Sequence, residues 1–138
     1  TIVKNKSIIL IDDSLVRGTT CHKIVKMLYE SGAKEVHVRI ACPEIRYPDF
    51  YGVDMPTKEE LLANEKNNKE MCEYINANTL KFLSLDGLYK ALINEKRNLS
   101  YPQFSDHYFT GDYPIKPQDN LNGTQIKQLS LLSGKSNN

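Results

Sequence analysis

The feature that most constrains this chain is a short apolar run that ends abruptly at two adjacent aspartates. Residues 7–11 are mostly apolar and rich in β-branched side chains, and Asp12 and Asp13 follow them directly. Such a run predicts a strand buried on both faces, as the strands of parallel sheets are. After a polar turn over residues 14–20, apolar side chains recur at helical spacing up to Gly32, which suits the end of a helix. The pattern predicts a βα unit.

The residues after this helix predict a second strand and then further helices. Val36, Val38 and Ile40 alternate with polar residues, which indicates a strand and completes a βαβ crossover. Residues 43–56 contain prolines and aromatics without a regular period, so a structured loop is expected there. Two capping boxes and one set of helically spaced leucines predict helices at three further places: Thr57 with Glu60, Asn67 with Glu70, and Leu85 with Leu88 and Leu92.

Composition divides the chain into a folded portion and a polar tail. We expect residues 1–113 to form one domain or part of one, because a chain of 138 residues buries only a modest core. Residues 114–138 are mostly Asn, Gln, Ser, Lys and Asp, which predicts a loosely ordered tail. The chain starts at Thr1, without an initiator Met or an apolar signal segment, so its true beginning is expected to be missing.

Hydropathy, charge and cysteine content argue against several classes of function. No apolar run approaches the roughly 20 residues that span a bilayer, which argues against a membrane protein. The net charge of +1 gives no general attraction for nucleic acid. Cys21, Cys42 and Cys72 are odd in number and lack C-x-x-C spacing, so neither a disulfide framework nor a self-contained zinc site is expected. Reduced thiols in the cytoplasm are the expectation instead.

Residues 12–20 carry the most specific chemistry of the chain. In an open parallel sheet, ligands bind at the carboxyl ends of the strands, where this segment lies and opens into a helix. The helix N-terminus offers unpaired N–H groups, Gly18 permits close approach of an anion, and Thr19 and Thr20 add hydroxyl groups. The two aspartates would repel a bare phosphate, but they suit a ligand that also presents hydroxyls or a divalent cation. A ribose 5-phosphate unit meets both conditions.

The same residues also have purely structural interpretations. Adjacent aspartates at a strand end often serve as turn or cap residues, and Thr19 or Thr20 could be the N-cap of the helix. Residues 15–16 have no polar side chain and are expected to pack the loop or to offer backbone contacts. Arg17 has two open interpretations, contact with phosphate or bracing of the loop. His37 is expected on a strand surface rather than as a catalytic base, because no nucleophile accompanies it.

The combination of strand, paired carboxylates, four-residue turn, glycine and two threonines resembles the 5-phosphoribosyl-diphosphate (PRPP) signature of type I phosphoribosyltransferases. Five later segments narrow the resemblance to the glutamine phosphoribosylpyrophosphate amidotransferases: residues 32–40, 47–56, 59–63, 83–88 and 109–111. The similarity covers nearly the whole chain up to Tyr113. It implies an α/β fold, namely part of a type I phosphoribosyltransferase domain with a Rossmann-like parallel sheet and C-terminal helices.

The resemblance implies an enzyme that passes ammonia from a glutaminase domain to PRPP in the first step of de novo purine biosynthesis. Asp12 and Asp13 would then hold the ribose hydroxyls and Mg²⁺. The PRPP-binding residues implied by the family signature are Asp12, Asp13, Ser14, Leu15, Val16, Arg17, Gly18, Thr19 and Thr20. No catalytic residue is assigned in this chain, and the family's diphosphate-binding loop, closing loop and glutaminase domain lie upstream. Purine nucleotides as inhibitors, a homo-oligomer and a cytoplasmic location are also implied.

Some members of this family carry an iron–sulfur cluster on cysteines, and the corresponding positions here are Asp49, Ser105 and Tyr108. No thiolate set remains at these positions to hold iron, so no iron–sulfur cluster is expected. The three cysteines of the chain fall elsewhere and are expected to serve as small helix or strand residues.

A second function stays open from the sequence, that of a non-catalytic regulator which senses PRPP. Such a protein would keep the binding loop without the catalytic loops. Nothing in the chain resembles a basic helix-turn-helix, which argues against a DNA-binding regulator. An upstream domain beginning with a catalytic cysteine would indicate the enzyme, whereas an N-terminal DNA-binding domain would indicate the regulator.

Overall fold

A computed structural model describes residues 2–53 and 56–115 of the chain. The elements, in chain order, are β1 (Ser7–Asp12), α1 (Thr19–Glu30), β2 (Glu35–Ile40), a 3₁₀ helix (Lys58–Glu60), α2 (Leu62–Glu65), α3 (Asn68–Tyr74), β3 (Thr79–Phe82), α4 (Leu85–Ile93) and α5 (His107–Thr110). No helix in this part of the chain is long and apolar enough to cross a membrane. The predicted polar tail lies outside the described residues from residue 116 onward.

The three strands form one parallel sheet in the order β1-β2-β3, which confirms the predicted βαβ crossover. Val38 pairs with Leu10 on one side and with Leu80 on the other, so one face of the sheet is apolar across all three strands. Val25 of α1 and Met71 of α3, both fully buried, belong to the core that covers this face.

The expectation that β1 is buried on both faces is wrong. Ile9 and Ile11 are 65% and 72% exposed, because the helices of the described residues pack on the opposite face of the sheet. His37 of β2 lies on the same exposed side, where its ring nitrogens contact Thr79 Oγ1 at 2.9 Å and Ser7 Oγ at 3.1 Å. His37 is therefore a strand-surface residue, as the sequence predicts.

The helices largely follow their sequence signals. Both capping boxes form, but Thr57 caps only a 3₁₀ turn, because extended backbone at Leu61 separates that turn from α2. α4 begins after Ser84, whose hydroxyl accepts a hydrogen bond from the backbone N–H of Gly87 at 3.0 Å. β3 and α5 have only four residues each and were not predicted, since such short elements carry too few side chains to show a period.

Candidate functional site

The loop between β1 and α1 surrounds a cavity of about 330 Å³. Asp12 is the last residue of β1 and Thr19 is the first residue of α1, so the loop lies at the carboxyl end of the strand. The cavity is lined by Cys21 and by all nine residues predicted from the sequence, residues 12–20. The structure thus brings the complete predicted set together around one space.

Hydrogen bonds between neighbouring residues orient the two carboxylates at the start of this loop. The backbone N–H of Asp13 donates to Asp12 Oδ1 at 3.0 Å, and Ser14 Oγ donates to Asp13 Oδ1 at 2.9 Å. The backbone of Asp12 is held by the N–H of Ala41, which donates to its carbonyl at 2.9 Å. The Oδ2 atoms of both aspartates accept no hydrogen bond from the described residues. These oxygens can therefore accept hydrogen bonds from hydroxyl groups or bind a cation.

Gly18 is required at the junction of loop and helix for two reasons. Its φ of +75° lies in the left-handed region that L side chains rarely adopt. A Cβ atom at this position would also lie 2.7 Å from Leu62 Cδ2 and 3.0 Å from Tyr74 Cε1. Gly18 is itself the N-cap of α1, so the interpretation of Thr19 or Thr20 as the N-cap is wrong. Because glycine has no side chain to cap the helix, backbone N–H groups of the first turn stay available to a ligand.

Residues distant in sequence support this loop from outside the cavity. Arg17 Nη2 lies 2.9 Å from Glu60 Oε1, and the backbone N–H of Leu62 donates to the carbonyl of Val16 at 2.9 Å. Leu15 is 3% exposed and packs into the core, as expected for an apolar loop residue. Sequence reasoning identified Glu60 only as a capping residue, and no signal pointed to its contact with Arg17.

A second polar cluster contains Asp49, Ser105 and Tyr108, the three positions considered above for an iron–sulfur cluster. Asp49 Oδ1 accepts hydrogen bonds from His107 Nε2 at 2.8 Å and from Tyr108 Oη at 3.0 Å. Ser105 Oγ lies 3.1 Å from His107 Nδ1, on the other side of the imidazole ring. Asp49 Oδ2 accepts the backbone N–H groups of Tyr51 and Val53, both at 2.8 Å. The cluster therefore joins the loop after Pro48 to α5. Its central residue, His107, was not identified from the sequence.

The electrostatics of this cluster favour an ionised Asp49. Burial on its own would raise the pKa of this carboxyl, but the N–H groups of Val53 and Tyr51 and the His107 and Tyr108 side chains lower it to about 2. Because a carboxylate only accepts hydrogen bonds, His107 Nε2 must carry the proton that it donates to Asp49. The shared bonds explain why a charged side chain and an imidazole, only 1% and 2% exposed, are stable together.

The three cysteines are poor nucleophiles, including Cys21, which lines the cavity of the loop. Cys21, Cys42 and Cys72 are free. Burial, with a smaller effect of nearby carboxylates, raises the pKa of Cys21 and of Cys42 to about 11, so both thiols stay protonated at neutral pH. Among the described residues, no group of three or more His, Cys, Asp or Glu side chains is arranged to hold a metal ion. Any cation at Asp12 and Asp13 would therefore need further ligands from a bound molecule or from water.

Comparisons with known proteins connect this geometry to one family. No protein-family model matches the chain. The amidophosphoribosyltransferase of Rhizobium etli is 50% identical over 133 residues, which cover 96% of this chain and 27% of that protein. The chloroplastic amidophosphoribosyltransferase of Vigna aconitifolia is 44% identical over 129 residues, covering 94% of this chain and 25% of that protein.

A solved structure agrees with these relatives. Glutamine PRPP amidotransferase from B. subtilis, complexed with ADP and GMP, matches with a TM-score of 0.77 and 44% identity over 86% of this chain and 26% of that chain. The chain spans about a quarter of the length of the proteins it matches. Sequence identity and fold agree, and this chain matches the C-terminal part of the amidophosphoribosyltransferases, within their type I phosphoribosyltransferase domain.

Proposed function

We propose that this chain carries the PRPP site of an enzyme that converts PRPP and glutamine to 5-phosphoribosylamine, glutamate and diphosphate, the first step of de novo purine biosynthesis. The observation that carries the proposal is a cavity in which two carboxylates, a glycine N-cap and the start of α1 converge. Its volume of about 330 Å³ lies at the lower end of the range of small-molecule sites. The names of the relatives favour this enzyme over the PRPP-sensing regulator.

The loop offers complementary groups for the two parts of a ribose 5-phosphate. Residues 14–20 would surround the 5-phosphate, with the first N–H groups of α1 and the hydroxyls of Thr19 and Thr20 as donors. The free carboxylate oxygens of Asp12 and Asp13 would accept hydrogen bonds from the ribose hydroxyls. One loop therefore offers hydrogen-bond donors to the phosphate and acceptors to the vicinal diol, which lies a few ångströms away.

The same aspartates also suit the chemistry at the sugar. Departure of diphosphate leaves positive charge on an oxocarbenium-like ribose, which nearby carboxylates stabilise electrostatically. Carboxylate oxygens are ligands that Mg²⁺ prefers, so Asp12 and Asp13 fit this ion, together with oxygens of PRPP and water. Bound Mg²⁺ would neutralise the leaving diphosphate.

The proposal includes partners outside this chain. Ammonia would come from an N-terminal glutaminase domain, and purine nucleotides would act as inhibitors, in keeping with the ADP and GMP in the B. subtilis complex. We further propose a homo-oligomer and a cytoplasmic location. The three free cysteines fit a reducing compartment.

Substitution of the two aspartates tests the proposal. In the full-length enzyme, Asp12→Asn or Asp13→Asn should lower turnover of PRPP by about tenfold or more, because each removes negative charge next to the developing cation. Asp86→Asn, an equal charge change at an exposed residue of α4, is the matched control and should have no such effect. Unchanged steady-state kinetics in both loop variants would refute the assignment.

A further inference from the structure

We call the loop between β1 and α1, residues 13–18, the phosphate loop. Three of its consecutive residues contact the same distant segment, residues 57–62. The carbonyl of Val16 accepts the N–H of Leu62 at 2.9 Å, and the guanidinium of Arg17 pairs with Glu60 at 2.9 Å. Gly18 lies so close to Leu62 that an added Cβ would approach its side chain to 2.7 Å. The loop is therefore held from outside the cavity at three successive positions.

The capping box with Thr57 holds the side chain of Glu60 in place independently of its ion pair with Arg17. Its Oε2 accepts the backbone N–H of Thr57 at 3.0 Å, and its own N–H donates to the carbonyl of Thr57 at 2.9 Å. The Thr57 N–H and, to a smaller extent, Arg17 hold the pKa of Glu60 below its usual value, so the carboxylate is charged at neutral pH. An exposed ion pair normally loses side-chain entropy when it forms, and this capping box removes part of that loss on the Glu60 side.

We propose that Arg17 and Glu60 act as one positioning unit that orders the phosphate loop for PRPP, with Arg17 bracing the loop rather than binding the phosphate. This inference rests on the proposed function. A loop that is ordered in advance loses less conformational entropy when its ligand binds, so the ion pair strengthens binding without touching the ligand. The side chains of Arg17 and Glu60 are 54% and 46% exposed, so the pair contributes little to the stability of the fold.

A double-mutant cycle in the full-length enzyme distinguishes bracing from direct contact. We would measure the Kd of PRPP in the presence of Mg²⁺ for Arg17→Gln, Glu60→Gln and the double variant. Glutamine at position 60 can still complete the capping box, so that substitution removes the ion pair and leaves the cap. Each single variant should raise the Kd about two- to fivefold, and the double variant should be no weaker than either single one.

Glu59→Gln is the matched control, because it makes the same charge change at the neighbouring exposed residue of the 3₁₀ helix. Its Kd should equal that of the wild type, and the melting temperatures of Glu60→Gln and Glu59→Gln should agree. If Arg17→Gln fails to fold, Arg17→Lys replaces it in the cycle, since lysine keeps the charge but lacks the planar guanidinium.

The outcomes separate this inference from the proposed function. Wild-type protein that does not bind PRPP would refute the function itself. Normal PRPP binding by wild type and by both single variants would refute the positioning unit and leave the function intact. If the losses of binding free energy in the two single variants add in the double variant, Arg17 contacts the ligand independently of Glu60. An equal loss in Glu59→Gln would reveal a general charge effect and would also overturn the inference.

Discussion

At the scale of single residues, Asp49 shows how one carboxylate can connect distant parts of a chain. It accepts two side-chain and two backbone hydrogen bonds, and its contact with His107 spans 58 positions of sequence. Four donors surround the two oxygen atoms of this buried side chain, and only an ionised carboxylate can accept from all of them. An asparagine would place an NH₂ group, which is a donor, where one of the two acceptor oxygens is needed. The charge state of Asp49 should therefore control the packing of the loop after Pro48 against α5.

Asp49→Asn should destabilise the folded protein by about 3 kcal/mol at neutral pH, because it leaves buried donors without a charged partner. The wild-type contribution is fully present above the unfolded pKa of about 4. It is lost as the pH falls through the folded pKa of about 2. Thermal unfolding of the two proteins should therefore differ most near pH 7 and least near pH 2. An equal difference at both pH values would contradict the role of the charge.

Asp49, Ser105 and Tyr108 also predict that the protein contains no iron–sulfur cluster. Protein prepared without oxygen should contain neither iron nor acid-labile sulfide, because these three positions supply no thiolate. Chemical analysis of iron and sulfide per chain tests this directly. A stoichiometric amount of both would show that other ligands hold a cluster.

At the scale of elements, the site depends on how β1 passes into α1. The strand directs Asp12 toward the cavity, and the helix directs its N-terminus to the same space. Gly18 permits the sharp turn between them for two reasons: it adopts a positive φ, and it lacks the Cβ atom that would collide with Leu62. The geometry of the loop is thus set by the junction of two regular elements rather than by the loop residues alone.

Gly18→Ala should weaken PRPP binding by about tenfold, because the added methyl group must displace Leu62 in addition to straining the backbone. Gly52→Ala is a suitable control. Its φ is also positive, at +104°, but a Cβ atom there would meet no atom within 4 Å. It should lower the melting temperature without affecting the Kd of PRPP in the full-length enzyme. Equal Kd values for both variants and the wild type would show that the tight junction is dispensable.

At the scale of the whole molecule, one face of the sheet carries apolar side chains that nothing in the described residues covers. Ile9 and Ile11 are both more than half exposed, whereas the other face is covered by α1 and α3. Three strands with an exposed edge at β1 are prone to pair with other chains. The chain also spans about a quarter of the length of its relatives.

Residues 1–138 on their own should therefore show no transferase activity, even with ammonia supplied directly. The loop can present its aspartates, but exclusion of water and neutralisation of the leaving group need more structure than this three-stranded sheet and its helices provide. The assay follows diphosphate release from PRPP with Mg²⁺ and excess ammonia, with the full-length enzyme as the positive control. Turnover comparable to the control would contradict this prediction.

Sequence by itself determined the local features of this protein. β1, α1 and β2 were predicted because their apolar residues repeat within short windows, and residues 12–20 were identified together because they are consecutive. The positive φ of Gly18 suits a glycine, whereas its role in the close approach of an anion stays a prediction. All of these properties depend on neighbours only a few positions away.

Tertiary structure alone decided the rest, because those features depend on residues far apart in sequence. Periodicity showed that β1 is apolar but not that Ile9 and Ile11 lie on the face left uncovered by the helices. A capping box gave Glu60 a local role, yet its contact with Arg17 exists only because the chain returns past the phosphate loop. The bond between Asp49 and His107 likewise needs the loop after Pro48 to lie beside α5, and no local pattern encodes that approach.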